Sequence, residues 1–147
     1  MALPGRGDVR GVSSGAALAW DVYRKRGREC VTVVGDARRG RFWYAHFRIR
    51  NGTVAEDTPY SLVPAAELMG VLRKDFVVTT PHEHVLRDVM IHLEKEGYAV
   101  IRDPMSPRAA AVGELVLASL ARNQPAAPLK PIYMHPPVLV APRVAQA

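Results

Sequence analysis

The chain has 147 residues, enough for one ordinary domain with one hydrophobic core. Its 48% hydrophobic and 23% charged residues exclude a disordered or collagen-like chain; no stretch reaches the ~18 apolar residues of a membrane helix; and a single cysteine, Cys30, excludes an intramolecular disulfide and any multi-thiolate metal site. The formal charge of +6 is uneven, since residues 1–50 hold 11 Lys and Arg against 4 Asp and Glu while residues 51–147 hold 9 against 10, a balance that suits either a phosphate-binding face or a solvated surface.

In chain order, the opening MALPGRGDVRGV lacks the apolar core of a secretion signal, so a cytoplasmic protein is expected. Ser13 or Ser14 can cap a helix by accepting from a free backbone N–H. Ala17, Trp20, Asp21 and Arg24 follow at helical spacing, Lys25, Arg26 and Arg28 gather where the dipole favours cations, and Gly27 is a natural stop, which predicts a helix over 13–26. The β-branched run Cys30–Val34 predicts a buried strand, and Gly35–Gly40 a turn. Residues 41–50 alternate, with Trp43, Ala45, Phe47 and Ile49 on one face and Phe42, Tyr44, His46, Arg48 and Arg50 on the other. Asn51-Gly52 is a tight hairpin turn, and Thr53–Glu56 returns as the third strand of an antiparallel meander.

The rhythm then changes. Pro64 can open a helix running to about Arg73, and Phe76–Thr80 reads as a strand. Residues 83–96 form an amphipathic helix with Val85, Leu86, Val89, Met90 and Leu93 inward. Tyr98–Ile101 reads as a strand, and Ser106-Pro107 as the start of a helix running to about Arg122. Strand–helix–strand spacing implies parallel strands with right-handed crossovers. The expected fold class is α/β, a three-stranded antiparallel meander followed by alternating helices and parallel strands, as in a ribonuclease H-like or actin-like lobe. The expected organisation is a linker and leading helix over 1–28, the lobe over 29–122 and a proline-rich tail over 123–147.

The chemistry-bearing residues are sparse. In such a lobe the turn after the first strand often faces a phosphate. Here that turn is Asp36-Ala37-Arg38-Arg39-Gly40, and two bulky arginines stand where converging backbone N–H groups would need glycines. A carboxylate–metal nuclease would need converging carboxylates, and the meander offers only Asp36, Glu56 and Asp57. His82-Glu83-His84 places its histidines two apart, which cannot share a helix face. The strand face with Phe42, Tyr44, His46, Arg48 and Arg50 can stack bases and neutralise phosphates if open, or pack as core if helices cover it. Candidate RNA contacts are Arg38, Arg39, Arg41 and Arg48. No catalytic residue, metal site or cofactor is expected.

Together the residues resemble the TsaB (YeaZ-like) family. Val12-Ser13-Ser14 before an alanine-rich helix looks like its "GVSSLEALA" stretch; Asp36-Ala37-Arg38-Arg39-Gly40 before an aromatic strand with Tyr44 looks like "DARRGEVY"; and Pro131-Ile132-Tyr133-Met134-His135-Pro136-Pro137 looks like the closing "PLYLRPP". Arg41 and His135 depart from the family pattern. The resemblance covers the second half of a typical member, with Met1-Ala2-Leu3 falling where the family ends a helix, and so implies a chain without the first lobe.

The resemblance implies a non-catalytic scaffold and dimerization subunit of the complex that forms N6-threonylcarbamoyladenosine at position 37 of tRNA. Its implied partners are a paralogous catalytic subunit (TsaD-like), a small ATPase (TsaE-like) and, indirectly, tRNA, with no membrane. It marks Asp36 to Gly40 and Tyr44 as motif or interface residues. A lobe apart from its neighbour also implies self-association. Two other functions stay open: a small basic tRNA- or RNA-binding module, and a glycoprotease-like hydrolase, a label that relatives have carried.

Overall fold

Side-chain alternation along residues 41–50 builds the strand around which the rest assembles. A computed structural model of the chain describes residues 9–127 and 129–134. Its four-stranded sheet comprises β1 (Cys30–Asp36), β2 (Arg41–Arg50), β3 (Thr53–Pro64) and β4 (Val77–Thr79), in the order β3-β2-β1-β4. β1 and β2 pair antiparallel from Cys30↔Arg48 to Asp36↔Phe42, and β3 continues the meander. β4 lies parallel to β1, from Val31↔Val77 to Val33↔Thr79.

Helices cover both faces. One side carries α1 (Ser14–Arg26) and α4 (Ala109–Ala121), packed on Val31, Val33, Ala45, Phe47 and Ile49. The other carries α2 (Leu68–Val71) and α3 (Glu83–Lys95), packed on Val34, Val63 and Val78. The period-two pattern of β2 is therefore resolved into two cores, since Phe47 belongs to the first and Phe42 and Tyr44 border the second.

The leading helix forms as its ends dictate. The Ser13 hydroxyl accepts from the Ala16 N–H at 3.2 Å, and Gly27, at φ 66°, donates to the Tyr23 carbonyl at 2.8 Å. α1 is then fastened to α4. The buried Asp21 carboxylate accepts from Arg108 at 2.9 and 2.5 Å, and Trp20 Nε1 donates to Glu114 Oε2 at 2.6 Å.

Several elements differ from the sequence expectations. β3 runs on to Pro64 instead of stopping at Glu56. Register shifts opposite His46 absorb its irregular stretch, and Pro59 is tolerated because β3 is an edge strand. Pro64 therefore ends a strand rather than opening a helix, and the chain continues into a 3-10 turn, Ala65–Glu67, and the single turn of α2. Tyr98–Ile101 is not a strand: one parallel bridge, Val78↔Val100, stands in its place, held by Val78 N–H to Ala99 O and Ile101 N–H to Val78 O, both at 2.8 Å. α4 begins at Ala109 behind an Arg108 N-cap, so Ser106-Pro107 precedes the helix instead of capping it. On α3, Leu86, Met90 and Leu93 are buried but Val85 is 52% exposed.

Candidate functional site

The Asp36–Gly40 motif closes the β1–β2 hairpin. Arg41 N–H donates to Arg38 O at 3.1 Å, leaving Arg39 (φ 56°) and Gly40 (φ 70°) as the central residues of a turn in which both take positive φ. Arg38, at φ 67°, extends the left-handed run to three residues. Asp36 holds it, because its Oδ1 accepts from the Arg38 N–H at 2.7 Å. Ala37 is buried, whereas Arg38, Arg39, Gly40 and Arg41 are exposed. The turn is thus a stiff, left-handed tip that carries three guanidinium groups.

Beside it, residues that the sequence reading did not connect form a row across the sheet. Trp43, one step along β2 from Arg41 on the same face, lies across Gly35 of β1, where an added Cβ would run into the indole. Its ring centroid is 5.5 Å from that of Tyr60 on β3 and 6.5 Å, edge-on, from that of His82 at the start of α3. His82 Nδ1 accepts from the Asp36 N–H at 3.0 Å, so the proton of its neutral ring sits on Nε2. The Tyr60 hydroxyl accepts from the Gly15 N–H at 2.9 Å, and burial pushes its phenol up from the usual range. Gly35 was the available sequence signal, because glycine in a strand often marks a close approach, but the sequence placed it in a turn and the structure places it in β1 opposite Trp43.

The remaining singled-out residues lie elsewhere. Tyr44 faces the α3 core on the opposite side of the sheet. Arg48, toward the far end of β2, donates to Asp57 at 3.3 and 3.5 Å and to Cys30 Sγ at 3.3 Å, with its guanidinium 5.1 Å from the Phe76 ring centre. Asp57 also accepts from Arg73 at 2.7 Å, and Arg48 holds the Asp57 carboxyl below its ordinary value. His46 is buried, with Nδ1 2.7 Å from the Thr32 hydroxyl and Nε2 3.1 Å from the Val71 carbonyl. A carbonyl only accepts, so Nε2 carries the proton, and burial pushes the imidazole pKa down. The face that the sequence offered for base stacking is therefore largely core.

Among the described residues, no group of three or more His, Cys, Asp or Glu side chains could hold a metal ion. A cleft of about 1050 Å³ lies between the start of α1, the β2–β3 turn, α4 and residues 124–127 and 129–132. Val12, Ser13 and Ser14 line it together with Pro131 and Ile132, which brings the first and last sequence motifs to one place. His135, Pro136 and Pro137 lie outside the described residues, as do residues 1–8.

No protein-family model and no curated protein sequence matches the chain. Solved structures do. The chain is similar to YeaZ from Pseudomonas aeruginosa, at 21% identity and a TM-score of 0.57, over 77% of this chain and 52% of that one. It is also similar to an uncharacterized protein with similarity to peptidase YEAZ from the same organism, at 19% identity and a TM-score of 0.60, over 84% of this chain and 57% of that one. The YeaZ-like fold implied by the sequence motifs is found, and the chain spans about half the length of the structures it matches.

Proposed function

We propose that the chain is a non-catalytic scaffold and dimerization subunit, built as an actin-like C-terminal lobe, of the complex that forms N6-threonylcarbamoyladenosine at position 37 of tRNA. The observation that carries this reading is the fold likeness to YeaZ over 77% of the chain, reached independently from three sequence motifs. The turn that would face a phosphate in a nucleotide-binding lobe supports it too. Here it holds two arginines in left-handed conformations and a single glycine instead of a cradle of convergent backbone N–H groups.

In the proposed complex a TsaD-like paralogue performs the threonylcarbamoyl transfer and a TsaE-like ATPase supports turnover. This chain holds the paralogue in its working arrangement in the cytoplasm and needs no cofactor of its own. The outer face of α4, with Leu117 67% and Leu120 41% exposed, offers apolar surface for a second copy. The test is co-expression of the tagged chain with the catalytic paralogue from the same genome. Stoichiometric co-purification, and modification of tRNA that requires both proteins, are expected. Independent elution of the two proteins, with modification unaffected when the chain is omitted, would refute the role.

A further inference from the structure

Part of the excess positive charge in the first third is answered within the fold, while Lys25, Arg28 and Arg50 are exposed with no carboxylate partner among the described residues. Arg24 faces Glu114, Arg26 faces Asp103 and Arg48 faces Asp57. The β1–β2 turn gathers three arginines in four residues. Arg39 and Arg41 are exposed with no carboxylate partner among the described residues, and Arg38 meets only Asp36, at 3.6 Å, with its side chain 86% exposed. Two of these three arginines sit in left-handed conformations that glycine would adopt without strain. Strained residues at an exposed tip point to a use for their side chains.

The neighbouring surface says what the use is. Along one face of β2, exposure falls from Arg41 (exposed) through Trp43 (half-buried) to Ala45, Phe47 and Ile49 (buried), because the core under α1 and α4 closes fully over the far end and reaches Trp43 only at its edge. Trp43 is fixed beneath by Gly35 and flanked by Tyr60 and His82. A braced indole beside three guanidinium groups combines a stacking platform with phosphate contacts, the pairing that binds single-stranded nucleic acid. Duplex RNA offers phosphates but no free base face, and carboxylates alone would engage the guanidinium groups without using Trp43. We infer that the turn end of the sheet is a binding site for unpaired RNA nucleotides, with phosphates on Arg38, Arg39 and Arg41 and a base on Trp43; this deepens the scaffold reading by giving the subunit its own contact with tRNA.

The test is fluorescence anisotropy of the full 147-residue chain with a labelled, unstructured 12-nucleotide RNA across a salt series. Binding should weaken with salt. Combining Arg39→Gly with Arg41→Gln should lower the slope of log affinity against log salt by about 1.4, at ~0.7 per lost phosphate contact. Trp43→Leu should weaken binding on the order of 5- to 150-fold. Arg39→Gly guards against a merely structural explanation. It relieves backbone strain and should raise the melting temperature by about 2–4 °C while reducing RNA affinity, so stability and binding move in opposite directions.

Absent binding at low salt, unchanged affinity in the arginine variants, or equal competition by a duplex of the same sequence would each overturn the site. If the arginine variants instead lose the catalytic paralogue while RNA binding is untouched, the turn is a protein interface and the RNA site is wrong. A chain that binds no RNA yet still associates with the paralogue overturns the site but leaves the scaffold role standing.

Discussion

Arg38 and Arg39 hold φ angles of 67° and 56°, a conformation that costs a side-chain-bearing residue about 1 kcal/mol or more relative to glycine. Replacing either by glycine should therefore stabilise the chain by about 1 kcal/mol, seen as a higher urea midpoint at unchanged slope. Gly35 predicts the reverse. A methyl group there meets the Trp43 ring, and Gly35→Ala should cost roughly 1–3 kcal/mol by overpacking. His46 links stability to pH. Burial lowers its folded pKa below the unfolded value near 6.5, so its contribution is complete above that value. As pH falls below 6.5 the unfolded chain takes up the proton first, and stability declines until the folded pKa is passed. Urea titrations from pH 7.5 to 5 should show this decline (about 7 and below is the informative window), and His46→Gln should flatten it. The arginine turn was legible in the sequence as a position unsuited to a phosphate cradle. Its left-handed geometry was not, because no local pattern forces three successive residues to positive φ.

Elements were legible where periodicity and caps agreed. α1 follows from Ser13 and Gly27, and β2 from ten alternating residues, as the sequence reading had them. Misreadings fall where tertiary context overrides a local signal. Glu56, Asp57 and Pro59 look like the end of a strand, yet β3 continues because an edge position tolerates proline and bulges. Ser106-Pro107 looks like a helix start, yet α4 begins after Arg108, whose guanidinium is drawn to the Asp21 carboxylate on α1. That pair is the main polar fastening between the two helices. Asp21 is 1% exposed, so Arg108→Ala leaves a buried carboxylate without its cation. A lower denaturation midpoint is expected, by less than the loss of a fully buried pair, because the Arg108 side chain is 52% exposed. Chemical denaturation of Arg108→Ala beside Asp21→Asn/Arg108→Ala measures it, and the double variant should recover part of the loss.

At the scale of the molecule, one sheet with helices on both faces puts the arginine turn and the cleft at different places. The arginine turn and Trp43 stand at the carboxyl end of β1, and the cleft that unites Ser13 and Ser14 with Ile132 lies by the β2–β3 turn. The mixed α/β class and the order of the motifs were readable from 147 residues because they rest on turns and alternation. The Trp43, Tyr60 and His82 row was not readable, since it joins β2, β3 and α3 and exists only once the sheet forms. The proposed scaffold function requires a partner. The most direct measurement is sedimentation velocity of the chain, with any residues its reading frame encodes before Met1, mixed with the catalytic paralogue from the same genome. A single faster-sedimenting species of fixed stoichiometry is the predicted result; two boundaries that stay at the positions of the separate proteins at every mixing ratio would contradict the scaffold role.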